Sequence, residues 1–100
     1  MMSQTIWHIT YKLVEGASVQ EYLAASEQVN REIISKQKGF VSWQVLTNGD
    51  GWIDLVTWET LEDAKNAETA GAENPVSAKY YSLIDMHSCR MTNCTIEKSY

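Results

Sequence analysis

The sequence is short of cations, of cysteine and of long apolar runs, and each shortage closes off a class of function. Eight Lys and Arg stand against 13 Asp and Glu, for a net charge of −5. Phosphate backbones and anionic membrane surfaces are held by clustered Lys and Arg, so neither nucleic acid nor a membrane is an expected partner. Lys36 and Lys38 come nearest to a cluster, and two cations at a helix C-terminus are what the helix dipole favours. The two cysteines, Cys89 and Cys94, are too few and too widely spaced for a zinc site. Five positions apart in a strand, they point to opposite faces and do not pair with each other.

Met1 to Trp7 lacks the basic-then-apolar pattern of a signal peptide, and no apolar run is long enough to cross a bilayer. With two reduced cysteines, this predicts a cytoplasmic protein. Also missing are a Gly-rich phosphate loop leading into a helix, a G-x-S-x-G elbow and an H-E-x-x-H helix. No nucleophile signature surrounds either cysteine, which leaves a thiol nucleophile unsupported.

What is present is an ordinary globular balance, 44% hydrophobic and 21% charged over 100 residues. That length suits one domain, residues 1–100, with a single core. Ile6 to Leu13 alternates, with Trp7, Ile9, Tyr11 and Leu13 on one face and Ile6, His8, Thr10 and Lys12 on the other, as a strand does. Ser18 and Glu21 form a capping box that opens a helix. The helix is expected to run to about Lys38 and stop at Gly39, with an apolar stripe of Tyr22, Leu23, Val29, Ile33 and Ile34. Phe40 to Thr47 and Trp52 to Trp58 read as strands joined by the hairpin turn Asn48-Gly49-Asp50-Gly51. Thr60 with Asp63 caps a second helix that reaches Ala70 and frays at Gly71. Asn74-Pro75 restarts a short helix carrying Tyr80, Tyr81, Leu83 and Ile84, and Ser88 to roughly Lys98 reads as a fourth strand.

The order β-α-β-β-α-(α)-β predicts an α+β, ferredoxin-like fold with a four-stranded antiparallel sheet. Right-handed crossovers place the helices on one sheet face. The other face would stay bare, and a bare apolar face calls for a partner. A second copy is the simplest one, giving a homodimer closed into an α+β barrel.

With the elements placed, the chain resembles the antibiotic biosynthesis monooxygenase family of the dimeric α+β barrel superfamily. Gly39-Phe40 opening strand two carries the resemblance. So do the run Trp52-Ile53-Asp54-Leu55-Val56-Thr57-Trp58 and the entry to helix two, Glu59-Thr60-Leu61-Glu62-Asp63-Ala64. It extends from about Ile6 to Ile96. Oxygenase members typically need no metal or organic cofactor, and bind an electron-rich aromatic compound between sheet and helices, where it reacts with dioxygen. The resemblance therefore implies a cofactor-independent monooxygenase acting on a small aromatic or quinone-like compound. Because the superfamily also holds proteins without catalysis, the alternative is a non-catalytic small-ligand-binding or stress-associated dimer. Haem-degrading relatives carry an Asn on strand one where this chain has Ile9, and a second Trp in helix two where it has Ala67. Their haem-ligating His falls near Tyr80. With all three replaced, haem degradation by their mechanism is not expected.

Helix one carries Ser26, Asn30 and Gln37 within the angular range of its apolar stripe. Buried polar groups need partners, so Ser26 and Asn30 either orient a ligand between helix and sheet or bond to local backbone. Trp7, Tyr11, Trp58, Tyr80 and Tyr81 supply aromatic surface that either walls a pocket or fills a small core. The candidate ligand-binding residues are thus Tyr11, Ser26, Asn30, Trp58 and Tyr80. The nearest thing to an acid–base pair is His8 with Asp54: if strands one and three run parallel with level starts, the two stand side by side. His87, after Asp85 at the last helix-to-strand junction, is expected to be exposed.

Overall fold

The computed structural model describes residues 3–100. Strand β1, Thr5–Leu13, leads through Gly16 into helix α1, Val19–Glu32, and a 3-10 turn, Ile34–Lys36. The hairpin β2, Phe40–Asn48, and β3, Gly51–Trp58, follows, then helices α2, Leu61–Ala67, and α3, Pro75–Ser82, and strand β4, Ile84–Thr95. Among the described residues the four strands form one sheet in the order β2-β3-β1-β4, every neighbouring pair antiparallel. The α+β, ferredoxin-like architecture expected from the sequence is the one observed.

Local chemistry accounts for the helix starts. Ser18 Oγ accepts from the Glu21 N–H at 3.3 Å and Thr60 Oγ1 from the Asp63 N–H at 3.0 Å. Asn74 Oδ1 accepts from Val76 at 2.9 Å, with Pro75 in the first turn. Each cap is worth about 1 kcal/mol. Gly39 adopts a φ of +84°, and a Cβ there would run into the Asp63 carboxylate at the head of α2. The turn into β2 and the start of α2 are therefore locked together at this glycine.

Three boundaries differ from expectation. Helix α1 ends at Glu32, not Lys38, because Ile33 leaves helical geometry at φ −127°, ψ −65°. The Gln37 amide then donates to the Ile33 carbonyl at 2.9 Å, which steadies the 3-10 turn. Helix α2 stops at Ala67, short of Ala70, and gives way to turns. Strand β4 begins at Ile84 rather than Ser88, since Ile84 and Asp85 pair with Leu13 and Lys12. Its register then jumps: Thr10 pairs with Arg90 while Lys12 pairs with Asp85, so Met86 to Cys89 bulge out opposite Tyr11. Ser88 Oγ holds the bulge by accepting from the Lys12 N–H at 2.8 Å and donating to the Asp85 carbonyl at 2.6 Å. An irregular stretch of this kind carries no alternating pattern, which hid the first half of the strand.

The core lies between the helices and one face of the sheet. One cluster joins Tyr11, Tyr22, Val29, Tyr80, Leu83 and Ile84, the other Trp7, Val56, Trp58, Ala64 and Ala67. On the opposite face Ile6, His8, Thr10, Ile53, Leu55 and Thr57 are only half-buried. Cys89 and Cys94 are free thiols.

Candidate functional site

Strand β3 presents Trp52, Asp54, Val56 and Trp58 to the helices, since alternate residues share a face. Asp54 is therefore a carboxylate set among large apolar side chains, and it is 1% exposed. Three tyrosines from three elements converge on it. Tyr11 of β1 donates to Asp54 Oδ1 at 2.7 Å, and Tyr80 of α3 donates to Oδ2 at 3.0 Å. Tyr22 of α1 stands within hydrogen-bond reach of both other hydroxyls, and its one proton goes either to the Tyr11 oxygen or to Tyr80 Oη, 3.3 Å away. A ring of hydroxyls thus surrounds one buried carboxylate.

Burial pushes the Asp54 carboxyl up to about 6, against the opposing pull of the Tyr11 and Tyr80 hydroxyls and the Trp43 indole N–H, which favour the anion. The Trp43 contribution comes from proximity, because its Nε1 makes no hydrogen bond of acceptable geometry. Burial, and then the neighbouring Asp54 charge, raise the tyrosines Tyr11, Tyr22 and Tyr80 well above the usual phenol range. They stay protonated and act as donors. Cys89 is raised by the same two causes in the same order.

Beside this group a cavity of about 240 Å³ opens between the sheet, α1, α3 and the β4 bulge. Its walls are Trp7, Ile9, Val29, Trp43, Val56 and Ile84, with Tyr81, Met86, Cys89 and Met91 completing them. Asp54, Tyr11 and Tyr80 also border it. An apolar, aromatic cavity with a few convergent polar groups is the usual form of a small-molecule site. Among the described residues no group of three or more His, Cys, Asp and Glu is placed to hold a metal ion.

The residues singled out from the sequence fall into two sets. Tyr11 and Tyr80 border the cavity. Trp58 does not: it is fully buried, packed against Trp7 and Phe40. Ser26 and Asn30 line a separate shallow depression with Glu27, Trp43 and Val45. There Ser26 donates to the Leu23 carbonyl at 2.8 Å, while Asn30 Oδ1 is buried without a partner. His87 is exposed in β4.

The expected pairing of His8 with Asp54 is overturned. Strands β1 and β3 are antiparallel, and Asp54 stands opposite Ile9 while His8 stands opposite Leu55. The reason is topological. The crossover through α1 makes β1 and β2 parallel; β3, the hairpin partner of β2, inserts between them and must oppose both. His8 therefore lies on the open face and Asp54 on the helix-covered one. Tyr22 and Trp43 were missed, the first absorbed into the helix stripe and the second into a strand. The signal that could have found the site is Asp54 itself, an acid in phase with Trp52, Val56 and Trp58.

Sheet order and helix placement are those of the antibiotic biosynthesis monooxygenase-like α+β fold. SnoaB, a cofactor-independent oxygenase from Streptomyces nogalater, shares it with a TM-score of 0.77 at 11% identity, over 97% of this chain and 96% of that one. A proposed antibiotic biosynthesis monooxygenase from Nitrosomonas europaea gives 0.75 at 6% identity, over 97% and 93%. One from Chloroflexus aurantiacus gives 0.67 at 15%, over 98% and 97%. At these identities the likeness is one of fold. No protein-family model matches the sequence, and no curated protein matches it either.

Proposed function

We propose that the protein is a cofactor-independent oxygenase that converts a small phenolic aromatic compound to a quinone, with Asp54 as the base. The observation that carries this is a buried carboxylate, held near 6 and bordering an aromatic cavity. At pH 7 such a group is about nine-tenths ionised, yet basic enough to assist removal of a phenolic proton.

The reaction balances without a further reductant. Asp54 takes the phenolic proton, and the electron-rich phenolate gives one electron to dioxygen. The resulting superoxide and ring radical combine, forming a C–O bond at the carbon para to the original oxygen, and the protonated Asp54 returns its proton to the peroxide oxygen. The hydroperoxide then loses water as its O–O bond breaks and that carbon gives up its hydrogen, leaving a carbonyl. One oxygen atom enters the product and the other leaves as water. Tyr11 and Tyr80 hold the Asp54 anion in place, and the apolar walls keep competing water from the radical pair.

The test is oxygen uptake by the purified protein with 1-naphthol and dihydroxynaphthalenes, read alongside quinone absorbance. One dioxygen consumed per quinone formed, lost in Asp54→Asn, is the expected result; no uptake across the panel refutes the reading. A non-catalytic binding protein is favoured by one feature: both Asp54 oxygens already accept a tyrosine hydroxyl. Binding of the same compounds without turnover would select it.

The half-buried row of Ile6, Ile53 and Leu55 supports a second copy of the chain covering the open sheet face. Sedimentation equilibrium at micromolar concentration tests this, a dimer being expected and a monomer ruling it out. Free thiols at Cys89 and Cys94 fit a reducing, cytoplasmic setting.

A further inference from the structure

The residues bordering the cavity fall into a closed polar end and an open apolar one. Asp54, Tyr11 and Tyr80 border it at 1%, 3% and 7% exposure. Tyr81, Met86 and Met91 border it too, yet they are 50%, 52% and 40% exposed. Polar groups beneath and apolar ones at the water inverts the usual arrangement. Large apolar side chains exposed together on one cavity wall mark a place where something apolar settles.

The sheet register gives the direction from one end to the other. Ile9 on β1 pairs with Asp54 on β3 and with Met91 on β4, so the three stand in one row on the helix-covered face. Two strand spacings put the Met91 backbone about 10 Å from that of Asp54. Strand β4 is the last of the sheet, so the row runs out into solvent at Met91. Burial falls along it, from Asp54 through half-buried Ile9 to Met91. Tyr81, near the end of α3, and Met86, in the bulge, supply the rest of the exposed apolar surface on the same wall.

We propose that the ligand is a phenolic lipid, with its hydroxyl at the Asp54 end and an unbranched hydrocarbon chain that crosses Ile9 and leaves the cavity past Met86 and Met91. The volume of about 240 Å³ exceeds the roughly 150 Å³ that holds benzene. The ring and the first chain carbons therefore fit inside, and a longer chain continues outward. Methionine, unbranched and polarisable, packs against such a chain without demanding one fixed shape. Loss of hydrogen from the carbon para to the hydroxyl is part of the chemistry above, so the chain sits at another ring carbon. The inference rests on the cavity being the substrate site proposed above, but it does not require turnover.

Titration calorimetry of the purified protein with 3-methyl-, 3-propyl-, 3-pentyl- and 3-heptylphenol tests it. A methylene taken wholly out of water is worth roughly fourfold in affinity, and one lying along an open wall about twofold. Over the six added methylenes the heptyl compound is expected to bind roughly fiftyfold tighter than the methyl one. Met86→Ser and Met91→Ser, at exposed positions, should each cut that ratio by about threefold. Should a variant fail to fold, the 13C-labelled methyl resonances of Met86 and Met91 in wild-type protein decide. They are expected to move with heptylphenol and not with methylphenol. Affinity that levels off after propyl, a ratio unchanged in both variants, or methyl resonances indifferent to the chain would overturn the inference. So would a dimer that weakens in both variants while the ratio stays flat, since the open end then belongs to a second copy. Chain-length dependence without oxygen consumption removes the enzyme reading alone; oxygen consumption without chain-length dependence removes the lipid alone.

Discussion

Replacing Asp54 by Asn separates the stability of this protein from its chemistry, and the size of the effect follows from the site. The Asp54 carboxyl ionises at about 6 in the folded chain against an ordinary 3.8. The folded state thus holds the proton more tightly than the unfolded one. The favourable contribution is complete below pH 3.8 and is lost as pH rises through 6. Across that window the gap corresponds to about 3 kcal/mol. Asn has the shape of the protonated acid, and Tyr11 or Tyr80 can turn its hydroxyl to accept from the amide. Asp54→Asn should therefore match the wild type in stability near pH 4 and exceed it by up to about 3 kcal/mol at pH 8. Urea unfolding followed by tryptophan fluorescence, at fixed protein concentration and a series of pH values, measures the difference. A wild-type to variant gap that stays constant from pH 4 to 8, or wild-type stability that rises as pH goes from 4 to 6.5 relative to the variant, would refute the reasoning.

Other perturbations follow from the same geometry. Tyr80→Phe removes the donor 3.0 Å from Asp54 Oδ2 and should raise the Asp54 carboxyl by about one pH unit or more; the 13C carboxyl resonance, titrated by NMR, reads this. Gly39→Ala meets both a left-handed φ and the Asp63 side chain, so it should cost about 3 kcal/mol, seen as a lowered urea midpoint with unchanged slope. Ser88→Ala deprives the Lys12 N–H of its 2.8 Å acceptor and should cost about 1 kcal/mol. Faster hydrogen exchange at the Lys12 amide would report it.

The sequence was most legible where alternation or capping is strict. Trp7, Ile9 and Tyr11 announced β1, and Ser18, Thr60 and Asn74 marked three helix starts that the structure keeps. Ile33 ended α1 early by leaving helical geometry although it is a buried apolar residue in phase with the helix stripe, so no local pattern marks the stop. The site was half visible. Tyr11 and Tyr80 stood out as aromatics that could wall a pocket, and Asp54 was noticed but assigned to the wrong face through the strand direction. A one-residue change of phase moves a side chain across the sheet, so that single error exchanged Tyr11 and Tyr80 for His8 as its neighbours. Cavity walls from Met86, Cys89 and Met91 depend on the bulge, a feature with no signature in the spacing of apolar residues.

That bulge has a consequence for how the molecule meets its own kind. Strand β4 forms one rim of the sheet, where unpaired amides and carbonyls would invite a foreign strand to zip on. With Met86 to Cys89 thrown out of line, the rim offers no unbroken ladder for such growth. The kink that brings Met86 and Cys89 to the cavity wall also discourages fibre-like stacking along this border.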